Sequence, residues 1–163
     1  MAFYNIRPAA LADEPFLCEM LYEAIYVPVG EQAPPRSIVA HPDVARYLAG
    51  WGRDGDLGVI AEDTATGGPI GAAWLRLWTK DNHGYGFVDT ETPDFLVAIR
   101  RGHRGKGVGT SLMNELLRTT RSRCRAVSLS VWPENPAKRL YFRLGFEIVG
   151  RHGRAWTMLR NFE

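Results

Sequence analysis

One stretch constrains the fold more than any other. An apolar run, Asp94-Phe95-Leu96-Val97-Ala98-Ile99, is followed by the glycine-rich Arg104-Gly105-Lys106-Gly107-Val108-Gly109-Thr110. Apolar residues at helical spacing come next, at Val108, Leu112, Met113, Leu116 and Leu117. A short apolar run bounded by turn signals reads as a buried strand, and the periodic segment reads as an amphipathic helix. A further strand is expected over Ala126 to Val131, so the order strand, turn, helix, strand predicts a mixed α/β sheet.

The other segments fill in that sheet. Phe3 to Arg7 predicts a first strand, and Pro8 opens a helical stretch in which Leu17, Met20, Leu21, Ala24 and Ile25 recur at helical spacing. Pro28, Pro34 and Pro35 impose an irregular segment, after which His41-Pro42-Asp43 leads into a shorter helix through Val44, Tyr47 and Leu48, closed by Trp51 and Gly52. Leu57 to Glu62 and Ile70 to Trp78, separated by Thr66-Gly67-Gly68-Pro69, predict an antiparallel hairpin. Asn135-Pro136 caps a helix running to Leu144, Gly145 ends it, and strands follow near Phe146 to Val149 and Ala155 to Leu159.

With 163 residues and 45% hydrophobic composition, the chain has the material for one compact domain spanning 1–163. No apolar stretch approaches the ~20 residues of a membrane-spanning helix. Asp13, Glu14, Glu19 and Glu23 interrupt any secretory signal, so a cytoplasmic protein without a membrane partner is expected. Cys18 and Cys124 form no metal-type or redox-type pair, and His41, His83, His103 and His152 show no ligand spacing, so no metal is expected. The net charge of +2 conceals a division: residues 1–97 hold 6 Lys/Arg and 14 Asp/Glu (−8), while residues 98–163 hold 14 and 4 (+10). A basic half suits a polyanionic ligand and an acidic half a cationic one.

The glycine-rich turn lies between a buried strand and a helix N-terminus, where backbone N–H groups lack helical partners, and this suits a diphosphate. A nucleotide P-loop is excluded, because Lys106 is followed by Gly107 and Arg100 stands at the first glycine position. The dinucleotide pattern begun at Gly105 also fails, because Thr110 occupies its last glycine position. A third pattern, Arg-x-x-Gly-x-Gly, is met by Arg104, Gly107 and Gly109. Ser130-Val131-Trp132-Pro133-Glu134-Asn135-Pro136-Ala137-Lys138-Arg139-Leu140-Tyr141-Phe142-Arg143-Leu144-Gly145-Phe146 adds a second segment with Asn, small residues, Tyr and Gly-Phe in order. On these two segments the chain resembles the GNAT superfamily of N-acetyltransferases.

The resemblance implies a GNAT-like α/β (α+β) fold, a mixed and mostly antiparallel sheet of about six or seven strands with about four helices. A splayed parallel strand pair would form the cofactor cleft, with an acceptor-side part over about 1–92 and an acetyl-coenzyme A core over about 93–150. Acetyl-coenzyme A is then the co-substrate, its pantetheine arm beside Val97, Ala98 and Ile99. Its pyrophosphate would rest on the turn Arg104, Gly105, Lys106, Gly107, Val108, Gly109 and Thr110, with Asn135, Lys138 and Tyr141 as further contacts. Chemistry adds three demands. A base must take a proton from the ammonium, for which Asp94 and Glu91 are the candidates, acting through water. An amide near Val97 or Ala98 must stabilise the oxyanion, and an acid, Tyr141, must protonate the leaving thiolate.

The acceptor is expected to be a primary amine, of a small molecule or a protein, with Tyr22, Tyr26 and Trp51 as candidates to shape its pocket. A homodimer is left open. Two rivals remain at this point. One is a noncatalytic acyl-coenzyme A sensor, and the other is a nucleic-acid or ribosome-binding module using Arg118, Arg121, Arg123 and Arg125.

Overall fold

The structure, a computed structural model, describes residues 3–162. Its strands are β1 (Tyr4–Pro8), β2 (Leu57–Asp63), β3 (Pro69–Arg76), β4 (Asp94–Ile99), β5 (Ala126–Val131), β6 (Glu147–His152) and β7 (Ala155–Asn161). They form one seven-stranded sheet in the order β1-β2-β3-β4-β5-β7-β6. All neighbours run antiparallel except β4 and β5, which are parallel. The helices are α1 (Glu14–Glu23), α2 (Pro42–Ala45), α3 (Val108–Thr120) and α4 (Lys138–Arg143). This is the mixed sheet the sequence leads one to expect.

The central strands are apolar without alternation because both faces are covered. On one face Val59, Ala73, Leu75 and Phe95 pack with Leu112, Met113 and Leu116 of α3. On the other, Ile60, Ala72, Trp74 and Trp78 pack with Leu17, Met20 and Leu21 of α1. Among the described residues no helix is long and apolar enough to cross a membrane.

Several boundaries differ from the sequence reading for local reasons. Pro8 ends β1, opposite Val59, instead of opening a helix. Asp13 accepts from the Ala10 amide (2.7 Å) and from both terminal nitrogens of Arg7 (2.8 Å each), which builds a 3-10 turn before α1. The helix then starts at Glu14 with Pro15 in its first turn, and Ala24 and Ile25 lie beyond its end. The second helix is a single turn; Tyr47 and Leu48 reach the core from the turns after it. β3 stops at Arg76, whose buried guanidinium binds Asp56 (3.0 and 2.7 Å) and the carbonyls of Arg46 (3.0 Å) and Ala49 (2.6 Å). Asn135 accepts from the Ala137 amide (2.9 Å) ahead of α4, which starts at Lys138.

The feature that positions the site is the meeting of β4 and β5. They share one registered pair, Asp94 with Ser128, in which the Ser128 amide donates to the Pro93 carbonyl (2.9 Å). Beyond it β4 stays paired to β3 as far as Ile99 and β5 to β7 as far as Val131, so the two strands diverge as a fork.

Candidate active site

The fork opens a cleft of about 880 Å³. Its walls are Phe95 to Ile99 of β4, Leu129 to Val131 of β5, the start of α3, the Asn135–Tyr141 region and the segment after α1. Strand alternation decides which amides face it. The Arg100 amide donates to the Ile70 carbonyl (2.8 Å), so the even-numbered residues of β4 present their backbone groups to β3. The odd-numbered ones point toward β5. In a parallel bridge between Asp94 and Ser128 the Phe95 amide meets the Ser128 carbonyl, which leaves Val97 and Ile99 facing a gap. Val97 and Ile99 therefore carry the open amides of β4, with Val97 the nearer to the base of the fork. Ala98 lines the cleft, but its amide belongs to the pairing with Ala72, which removes it as an oxyanion donor.

At the wide end, the turn before α3 is built around two glycines in the left-handed region, Gly105 (φ 74°) and Gly107 (φ 86°), the latter at the helix N-cap. Among the described residues no backbone carbonyl accepts from the amides of Gly105 to Thr110; the first satisfied amide is that of Ser111, to Gly107 (3.1 Å). Those free amides and the positive end of a thirteen-residue helix converge on one spot. Arg101, His103, Arg104, Gly105 and Gly107 to Thr110 all border the cleft there. Glu23, at the end of α1, holds Arg101 and Arg104 by ion pairs of 3.6 Å each. His103 lies 3.8 Å from Asp63 through Nε2 and leaves its buried Nδ1 without a partner.

Tyr141 extends from α4 into the cleft wall and is 9% exposed. Its hydroxyl makes no hydrogen bond to the described residues, and burial pushes its pKa up to about 12. It is therefore protonated at neutral pH and free to donate. Asn135 also borders the cleft, although its side-chain oxygen is engaged with Ala137.

Five expected residues are placed elsewhere. Lys106 projects over the Phe3 ring (5.7 Å), away from the cleft, and Lys138 donates to the Pro133 carbonyl (2.5 Å) beside Trp156 (5.6 Å). Glu91 is exposed on the connection before β4. Asp94 faces the α1 side of the sheet, where its Oδ2 accepts from Trp78 Nε1 (3.0 Å) and the Gly86 amide (3.2 Å). It is 3% exposed, does not border the cleft, and burial raises its pKa to about 7. At ~3.3 Å per residue the Val97 amide is about 10 Å further along β4, too far for direct proton transfer. Trp51 also lies away from the cleft, its Nε1 donating to Ala10 (3.0 Å), whereas Tyr22 and Tyr26 do line it.

The arginines proposed for nucleic acid are partly committed. Arg118 is paired with Glu115 (2.6 Å), and Arg121 lies over Phe162 (5.8 Å).

Comparison with known proteins fixes the family. A family model described as "Acetyltransferase (GNAT) family" matches residues 21–146, most of the chain. The protein belongs to the GNAT acetyltransferase family. No curated protein matches it. Among solved structures, this GNAT chain is similar to a GCN5-related N-acetyltransferase from Kribbella flavida, with 21% identity, 98% of each chain covered and a TM-score of 0.66. It is also similar to a phosphinothricin acetyltransferase from Sinorhizobium meliloti in complex with AcCoA (24% identity, 98% of this chain and 89% of the other, TM-score 0.67). A third is the PaiA N-acetyltransferase from Thermoplasma acidophilum in complex with coenzyme A (16%, 99% and 100%, TM-score 0.69). At these identities the likeness speaks for the fold.

Within this GNAT fold the sequence reading missed Glu23, Arg101, Arg143 and the Ala33–Pro34 segment as parts of the cleft. No motif marks them, since they arrive from α1, the irregular segment after it, the short turn after β4, or the far end of α4. The choice of Val97 over Ala98 needs the Asp94–Ser128 pair, which the fold supplies; alternation from that pair then settles it.

Proposed function

We propose that this acetyltransferase carries an acetyl group from acetyl-coenzyme A to a primary amine by direct attack in a ternary complex, as a single cytoplasmic domain. The observation that supports this best is the fork: a strand edge left unpaired at Val97, with the free amides of Gly105 to Thr110 at its wide end. A long ligand with an amide-bearing arm and a diphosphate matches both, and the cleft's volume suits one ligand of cofactor size.

The thioester supplies an activated acyl carbon. The Val97 amide stands where an oxyanion needs a donor, and such donors are worth roughly 3 to 4 kcal/mol. As the amine nitrogen bonds to that carbon and the carbon–sulfur bond breaks, the Tyr141 hydroxyl gives its proton to sulfur. The proton lost by the amine leaves through cleft water, since neither Asp94 nor Glu91 borders the site. Tyr22, in the last turn of α1, and Tyr26, on the segment after it, form the wall nearest an incoming acceptor.

A thiol-release assay with acetyl-coenzyme A and a panel of primary amines tests this reading. Stoichiometric free thiol and acetylated amine are expected. Tight coenzyme A binding without thiol release across the panel would favour an acyl-coenzyme A sensor instead.

A further inference from the structure

The long connection between β3 and β4 contains a turn, Gly84 to Phe87, that touches both arms of the fork where they part. The Gly86 amide donates to Asp94 Oδ2 on β4 (3.2 Å), and the Gly86 carbonyl accepts from Ser128 Oγ on β5 (2.6 Å). Asp94 and Ser128 are also the residues of the one registered pair between the strands. Both are buried, at 3% and 0% exposure. No side chain fits on the turn there: a Cβ at Gly86 would lie 2.5 Å from Asp94 Oδ1 and 2.9 Å from the backbone carbon of Leu129. The turn is held from outside as well, since the Tyr85 amide donates to the Tyr47 hydroxyl (2.7 Å) and Trp78 Nε1 donates to Asp94 (3.0 Å).

We infer that the Gly86 turn is a clamp at the base of the fork: through Asp94 and Ser128 it fixes where β4 and β5 separate, and so where a thioester between them sits relative to Val97 and Tyr141. The functional consequence rests on the acetyl-transfer reading above; the clamp itself does not. Asp94 acts in it as a positioning residue. The position beside Gly86 and Trp78 calls for a hydrogen-bond acceptor and not for a charge, so asparagine can fill it, whereas a base cannot be replaced that way. Ser128 contributes one hydroxyl bond that no other group on β5 supplies.

The test uses the full chain and an amine that the wild type acetylates. Ser128→Ala and Asp94→Ala are expected to lower kcat at saturating acetyl-coenzyme A by about tenfold or more, because small displacements of reacting groups are costly. Coenzyme A affinity by calorimetry should stay within about twofold, since the phosphate cradle lies at the other end of the cleft. Asp94→Asn should recover most of the kcat lost in Asp94→Ala. Wild-type kcat in Ser128→Ala would overturn the clamp, and so would an Asp94→Asn enzyme as slow as Asp94→Ala. Hydrogen exchange gives a readout independent of turnover: the Phe95 and Ser128 amides should exchange faster in Ser128→Ala than in the wild type, and unchanged protection would count against the clamp. If the wild type transfers acetyl to no amine, the acetyl-transfer reading fails, and the exchange experiment still decides the clamp.

Discussion

Tyr141 and Glu23 carry the two sharpest residue-scale expectations. Tyr141 is a largely buried residue with a protonated hydroxyl that borders the cleft, and Leu140 beside it on α4 and Leu144 just after α4 pack against the core. Tyr141→Phe keeps that packing and deletes the proton, so turnover should fall by about 10²-fold with coenzyme A affinity nearly unchanged. Single-turnover and calorimetric measurements separate the two quantities. Glu23 is the one carboxylate bordering the cleft among the described residues, and it competes for the guanidinium groups of Arg101 and Arg104. Removing its charge with Glu23→Gln leaves both arginines to a phosphate. Coenzyme A should then bind several-fold tighter, on the order of 1 kcal/mol, and the gain should shrink in high salt. Titration calorimetry at two ionic strengths checks this.

At the scale of elements, β4, the turn and α3 act as one unit, and the turn depends on backbone conformation more than on side chains. A β-branched residue at Gly107 must adopt a φ of 86° and sets a side chain among the free amides. Gly107→Val should therefore weaken coenzyme A binding by at least about tenfold, with a loss of about 1 to 3 kcal/mol in stability from the strained φ. These elements were also the most legible in the sequence. β4 and β5 begin and end where the apolar runs do, and α3 announces itself by its periodicity and its glycines. Elements whose limits are set by distant partners were not legible. β3 ends where Arg76 meets Asp56, twenty residues away, and β1 ends where Asp13 captures Arg7. The same holds for the cleft: residues in the glycine motif were readable, but Glu23 joins the site only because α1 packs across the sheet. Lys106 and Lys138 were misplaced because spacing locates a backbone and not the direction of a long side chain.

For the molecule as a whole, the buried Asp94 gives stability a pH dependence. Its carboxyl has an ordinary pKa of 3.8 and is held at about 7 in the fold, with burial as the first cause. The folded state thus binds this proton more tightly than the unfolded chain. That contribution is complete below 3.8 and is lost as the pH climbs to about 7, a loss of at most about 4 kcal/mol. Asp94→Asn removes this dependence while keeping an acceptor. Urea midpoints should therefore shift in favour of the variant as the pH rises from about 5 to about 8, and parallel pH profiles for the two proteins would contradict the assignment. The uneven charge of the chain belongs to this scale too: the basic C-terminal half supplies α3 and the glycine turn, while the acidic N-terminal half supplies Glu23 and the wall formed by the segment after α1.

Because β4 and β5 meet at one rung, the sheet is in effect two ribbons, β1 to β4 and β5 to β7, hinged at that rung and bridged by α3. A guest that bonds to the bare edge of one ribbon while packing against the other supplies rungs the polypeptide lacks. The protein is then stiffest when loaded and loosens as product departs, so that its rigidity is partly borrowed from the molecule it consumes.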